Sequence, residues 1–216
     1  MVTIIDYGIG NLRSIEKAFQ HVDVAVRRTD DPDAIRSADR LVLPGVGAFG
    51  ACIGEVRSRD LGGPIREAID AGTPFLGVCV GLQLLFEVGE ERGEHPGLGV
   101  LPGRVVRFDR EKLEAAAGET LKIPHMGWNT VRFTRSHPLL AEIPDESYFY
   151  FVHSFFVRPE REEDVLGWTE YGVPFPAMVA RENVLGVQFH PEKSQTHGLR
   201  ILRNFAALAP KSAQAA

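Results

Sequence analysis

Apolar positions in the first half of the chain alternate between two textures. VTIIDY from Val2, VDVAVRR from Val22, DRLVLPG from Asp39 and TPFLGVC from Thr73 are short and largely apolar, as buried strands are. Between them the apolar residues recur at helical spacing. Leu12, Ile15, Ala18 and Phe19 share one face of a segment that Asn11 is placed to cap, and further helical stretches run near Cys52 to Asp60 and Pro64 to Ala71. This alternation predicts parallel strands joined by crossover helices. After about residue 98 the texture turns β-rich: GRVVRF, TVRF, SYFYFVHSFFV, DVLGWTEY, PAMVARE and VLGVQFH succeed one another, as in hairpins or an antiparallel extension. GLRILRNFAALA then closes as a helix, with Leu199, Leu202 and Phe205 on one side.

The fold class expected is therefore α/β: a three-layer α/β/α domain over residues 1–210, with a central, mostly parallel sheet and an antiparallel β extension in the second half. Residues 111–120 read as a variable surface excursion and 211–216 as a frayed tail.

Composition narrows the function classes. A net charge of −5 without a dense Lys/Arg block disfavours nucleic acid as a partner. No apolar run approaches the roughly 20 residues that cross a bilayer, and the N-terminus lacks the basic start of a secretion signal, so a cytoplasmic protein without a membrane partner is expected. The only cysteines, Cys52 and Cys79, match neither a disulfide framework nor a metal-site spacing. No metal or cofactor is expected, and a single reactive thiol remains open.

That thiol has a candidate in GVCVGLQLLFEV (Gly77 to Val88), where a strand-like run gives way to helical spacing at Leu82, Leu85 and Phe86. A residue at a sharp strand-to-helix turn is pushed out above the sheet edge, and Gly77 and Gly81 give the backbone room to fold back. A following helix aims its N-terminal amides at the sulfur, the setting that favours a thiolate. Taken alone, Gly-x-Cys-x-Gly fits a buried core cysteine equally well.

A base is offered by VQFHPEKS. His190 ends an apolar run and Glu192 lies two positions on, where side chains of an extended chain point the same way, so the carboxylate can orient the imidazole. LVLPGVGAFG ends a strand in a Gly-rich loop, so the amides of Val46 or Gly47, with that of Val80, are candidate oxyanion donors. A phosphate loop is disfavoured by the missing Gly-Lys-Ser/Thr ending.

PGVGAFG, GVCVGLQLLFE and GVQFHPEKS, in this order over nearly the whole chain, resemble the class I (triad) glutamine amidotransferases, whose fold is flavodoxin-like. KIPHMGWN (Lys122 to Asn129), YFVHSFFV (Tyr150 to Val157) and the PGVG loop are similar to the glutaminase subunits of imidazole glycerol phosphate synthase, of histidine biosynthesis. The resemblance implies that Cys79 attacks the side-chain amide of L-glutamine, that His190 moves the proton and that Glu192 orients the ring. It implies an oxyanion hole from Val46 and Val80, and glutamine contacts from Gly47, Gln83, Ser154 and Phe155; Phe155 stands where tyrosine is more usual, and it and Ser154 also fit a plain core strand. It further implies ammonia transfer to a (β/α)8-barrel synthase subunit making imidazole glycerol phosphate and a carboxamide nucleotide, with Trp128, Tyr150 and Lys193 at the interface.

A glutaminase serving another synthase, such as one making pyridoxal phosphate, a stand-alone cysteine hydrolase or peptidase, and a redox sensor with a reactive thiol are the other readings.

Overall fold

The computed structural model describes residues 1–111, 113 and 121–209. The 211–216 tail, and all of the 111–120 excursion but residues 111 and 113, lie outside the described residues.

The four strand-like runs of the first half form β1 (Val2–Ile5), β2 (Val26–Thr29), β3 (Leu41–Gly45) and β4 (Phe75–Cys79). They are joined through α1 (Leu12–His21), α2 (Pro32–Arg36), and α3 (Phe49–Ser58) with α4 (Gly62–Asp70). Every residue of β1, β3 and β4 is buried, as expected of strands covered on both faces. The α1 face is the expected one, with Ile15, Ala18 and Phe19 buried, but Asn11 precedes it without making a side-chain capping bond. The sequence reading passed over α2, which is a turn and a half long and carries one buried apolar residue, Ile35.

The β-rich half supplies β5 (Phe86–Gly89), β6 (His95–Pro96), β7 (Leu101–Arg107), β8 (His125–Phe133), β9 (Ser147–His153), β10 (Phe155–Pro159), β11 (Val165–Tyr171), β12 (Val173–Arg181) and β13 (Val184–Val187), followed by α6 (Gln195–Ala207). Nine strands form one sheet in the order β2-β1-β3-β4-β13-β12-β11-β8-β9. The first five are parallel and the remaining four antiparallel, so the central sheet is parallel in its first half, with the expected extension growing from its edge.

The structure corrects the reading in two places. SYFYFVHSFFV is two strands rather than one: β9 pairs with β8 in the large sheet, whereas β10 belongs to a second sheet ordered β10-β7-β5-β6, and the chain changes sheets at Ser154. The helix expected from Leu82 to Phe86 is a single turn, α5 (Val80–Gln83), after which Phe86 opens β5. Leu82, Leu84, Leu85 and Phe86 are all fully buried, and a run buried on every side carries no periodicity to separate helix from strand.

The close approach of α5 to the sheet explains the glycines flanking Cys79. A Cβ on Gly81 would lie 1.8 Å from the Leu43 carbonyl oxygen, and one on Gly77 would lie 2.7 Å from Gly81 O and Leu82 N. A Cβ on Gly45 of the neighbouring strand would likewise lie 2.7 Å from Gly81 N. No side chain fits at these positions unless the backbone moves.

Candidate active site

The three motif loops meet because of strand order. β3, β4 and β13 are adjacent and parallel, so the segments leaving their carboxyl ends, at Val46, Cys79 and Gln188 to His190, converge on one edge of the sheet, the usual location of ligand sites in open α/β folds. A cavity of about 430 Å³ opens there, lined by Val46, Gly47, Cys79, Val80, Gln83, Ser154, Phe155, His190 and Lys193 among others. The sheet change at Ser154 brings Ser154 and Phe155 to this cavity, so neither is buried in a continuous core strand.

Cys79 has φ 55° and ψ −113°, a left-handed conformation that a residue with a side chain adopts only under constraint. Val80, which follows Cys79 in the chain, is the first residue of α5, where an amide has no partner within the helix. With only one turn behind it, the macrodipole contributes less here than a full helix would. The charge that matters is on the imidazole.

His190 Nδ1 lies 2.9 Å from Glu192 Oε1, and both side chains are buried. The extended geometry expected for this pair does not hold, because Glu192 sits in a 3-10 turn, Pro191–Lys193, that curls its carboxylate back to the ring. Burial opposes charge on His190, but interaction with the Cys79 sulfur and with Glu192 outweighs it, pushing its pKa up to about 10. The sulfur and the carboxylate thus hold His190 toward its charged form, beside the nucleophile whose proton it would carry.

Several residues of the site went unnoticed in the sequence. Gln188, fully buried, approaches Cys79 Sγ with Nε2 at 3.8 Å and accepts from Gln83 Nε2 at 3.1 Å. Gln83 Nε2 also donates to the Phe155 carbonyl at 3.0 Å. Both amide hydrogens of Gln83 are therefore committed, and Oε1 is the atom left to meet a ligand. Glu91 lines the cavity, held by the Phe49 amide at the start of α3, 2.8 Å from Oε2. One of three glutamates in the polar run GEERGEH carries no signal for this. His153 also lines the cavity. Cys52 is buried behind the loop, and its thiol donates to the Val46 carbonyl at 3.3 Å.

Trp128 and Tyr150 lie apart from the cavity. They are cross-strand partners on the outer face of the β8–β9 hairpin, with ring centroids 6.0 Å apart. Lys193 Nζ stands 5.7 Å from the Tyr150 ring centroid, a cation–π distance, and also lines the cavity, so the aromatic surface adjoins its mouth. Met126 and Tyr148 extend this surface; at 62% and 59% exposed they are, with Met1 and Trp128, the large exposed hydrophobics among the described residues.

On the hairpin's inner face burial drives down the pKa of His125 to about 4 and of His153 to about 3. Depressed basic groups bind fewer protons folded than unfolded, so their contribution to stability is complete above the unfolded value of 6.5 and declines as pH falls below it. His190 has the opposite sign, its contribution being complete below the unfolded value and lost as pH rises through about 10. Urea midpoints should therefore fall between about pH 6 and about pH 4.5, with roughly 2 kcal/mol lost per buried histidine. A flat profile would show that the rings are already charged or solvated.

A cysteine on a strained elbow and an imidazole held by a buried carboxylate thus share one cavity at the sheet edge. The chain belongs to the class-I glutamine amidotransferase family, whose model matches residues 3–209. Solved structures bear out the fold: a crystal structure titled glutamine amidotransferase aligns with TM-score 0.70 at 21% identity, covering 94% of this chain and 96% of that one. Among curated relatives, imidazole glycerol phosphate synthase subunit HisH of Salinibacter ruber is 63% identical over 96% of this chain and 94% of its own length. HisH of Methylococcus capsulatus is 53% identical over 99% of both chains, and that of Desulfitobacterium hafniense 51% over 95% and 93%.

Proposed function

We propose that this chain is the glutaminase subunit of an imidazole glycerol phosphate synthase, acting in the cytoplasm as one domain over residues 1–210 and passing ammonia to a (β/α)8-barrel synthase subunit. The observation that carries this reading is the arrangement of Cys79 and His190 in one cavity whose mouth adjoins the exposed aromatic face of Met126, Trp128 and Tyr148.

In this reading Cys79 Sγ attacks the side-chain carbonyl carbon of glutamine. Charge builds on the oxygen and is met by the amides of Val80 and Val46. His190, holding the proton, passes it to the departing nitrogen; ammonia leaves and a glutamyl thioester remains. His190 then takes a proton from water as it attacks the thioester, and glutamate is released with the thiolate restored. Glu192 keeps the ring aimed throughout. At the amino-acid end, Gln83 Oε1 and the Glu91 carboxylate are acceptors suited to the α-ammonium, beside Gly47, Ser154 and Phe155. Ammonia released into bulk water becomes ammonium and is no longer a nucleophile, so transfer requires a sealed contact, and Trp128, Tyr150 and Lys193 are suited to supply it.

The test supplies amide-¹⁵N glutamine to the chain mixed with a cyclase subunit in a large excess of ¹⁴N ammonium. A ¹⁵N content of the imidazole product far above that of the ammonium pool is expected. Glutamate formation without ¹⁵N in the imidazole would exclude transfer to this synthase, and cleavage of γ-glutamyl peptides without any partner would favour the stand-alone hydrolase.

A further inference from the structure

A file of hydrogen bonds, buried at its histidine pair and partly open at Asn129, leads from the hairpin under the aromatic surface to the glutamine subsite. Its polarity can be read from end to end. Asn129 Oδ1 accepts from the Thr130 amide at 2.8 Å, which fixes the carboxamide orientation, and Nδ2 then donates to the Glu170 carbonyl at 2.8 Å and faces His125 Nε2 at 3.3 Å. His125 Nδ1 lies 3.0 Å from His153 Nε2, and His153 Nδ1 lies 2.9 Å from the Phe155 carbonyl oxygen. A carbonyl only accepts, so His153 carries its proton on Nδ1; its Nε2 then accepts, and His125 must donate from Nδ1 and accept at Nε2. Each donor meets one acceptor only if both rings are neutral. Their surroundings agree: His125 stacks on Phe151 and Tyr171, and His153 packs on Phe108 and Phe175. The file ends on the carbonyl that also holds Gln83.

We propose that Asn129, His125 and His153 are positioning residues for glutamine: their one-way file of hydrogen bonds fixes the Phe155 carbonyl, and through it Gln83, and ties the subsite to the strand that exposes Met126 and Trp128. The idea rests on the glutaminase reading above. None of the three residues holds Gln83 directly; His153 reaches it through the shared carbonyl, and the other two set the tautomer of His153. Because His125 and Asn129 alternate with Met126 and Trp128 along β8, pressure on the outer face bears on the inner file.

Two measurements test this on the full chain and its complex with the cyclase subunit. Long-range ¹H–¹⁵N correlation of the imidazole nitrogens should find both His125 and His153 protonated at Nδ1, the minor tautomer of free histidine. A proton on Nε2 of either ring would overturn the file without any variant being made. The second compares His153→Asn with His153→Leu. Asparagine places an amide near the position of Nδ1 and can still hold the Phe155 carbonyl, whereas leucine fills the space but donates nothing. Positioning predicts that His153→Leu raises KM for glutamine about tenfold with a smaller change in kcat, while His153→Asn stays within about threefold, the scale of one lost hydrogen bond. A packing role alone predicts the reverse order, since asparagine leaves the larger void, and that order would overturn the proposal. Wild-type complex run alongside separates the two ideas: its failure to use glutamine refutes the glutaminase reading, and normal wild-type use with equal KM in both variants refutes the relay alone.

Discussion

Replacing Cys79 by alanine should lower glutamine-dependent turnover by at least about 10⁴-fold, because without the sulfur no thioester forms and the remaining groups act only on a bound amide. Turnover of the cyclase subunit with added ammonium salt should stay at the wild-type rate, since the variant loses a nucleophile and keeps its surface. Cys52→Ala is the matched control. Cys52 also lies beside the site, but burial pushes its thiol up and its sulfur is spent on the Val46 carbonyl. Removing it frees the loop on one side and should cost less than about tenfold, the scale of one lost hydrogen bond. Full activity in Cys79→Ala with an inactive Cys52→Ala would reverse the assignment. Loss of the ammonium-driven reaction as well would mean that the substitution had disturbed the complex instead of the chemistry.

What the sequence revealed and what it withheld follow from the range of the interactions concerned. β1 to β4 are legible because each is a short apolar run between helical segments, and the glycines at 77 and 81 announce a close backbone approach whatever the tertiary context. Cys79, His190 and Glu192 could be named because each lies within a local motif, although the geometry joining His190 to Glu192 is a 3-10 turn and not an extended pair. The switch of sheets at Ser154 was hidden, since Phe-Phe-Val continues the apolar texture of Phe-Val-His while pairing with a strand some fifty residues earlier, with Phe155 opposite Arg107. The same limit concealed Gln188 and Glu91, whose neighbours are distant in the chain. The histidine file was beyond reach for another reason. His125 and His153 fall in motifs that point to the family, but their tautomers are defined only by the hydrogen-bond partners that folding supplies.

The isolated chain should hydrolyse glutamine about 10² to 10³ times more slowly than the complex loaded with its nucleotide substrate, the effect of one missing oxyanion donor. The donor at issue is the Val46 amide. It lies between Gly45, pressed against Gly81 and Val80, and Gly47, whose φ of +87° is costly for any other residue. A turn of the Val46 peptide would therefore hinge at Gly47, the one of the pair with space around it, with Gly45 as the anchor. Gly47→Ala separates conformation from crowding: a Cβ there meets nothing within 4 Å, so the variant packs as before and is strained only in its backbone. If the peptide at Val46 turns when the partner fills, restricting Gly47 should cut the stimulation by the nucleotide-loaded partner, leaving partner binding and ammonium-driven turnover unchanged. Stopped-flow measurement of glutamate release, with and without the nucleotide, reads the effect directly. Full-rate hydrolysis by the chain alone would mean that both amides already face the substrate oxygen, and the glycines around Val46 would then serve only the close packing of strand against elbow.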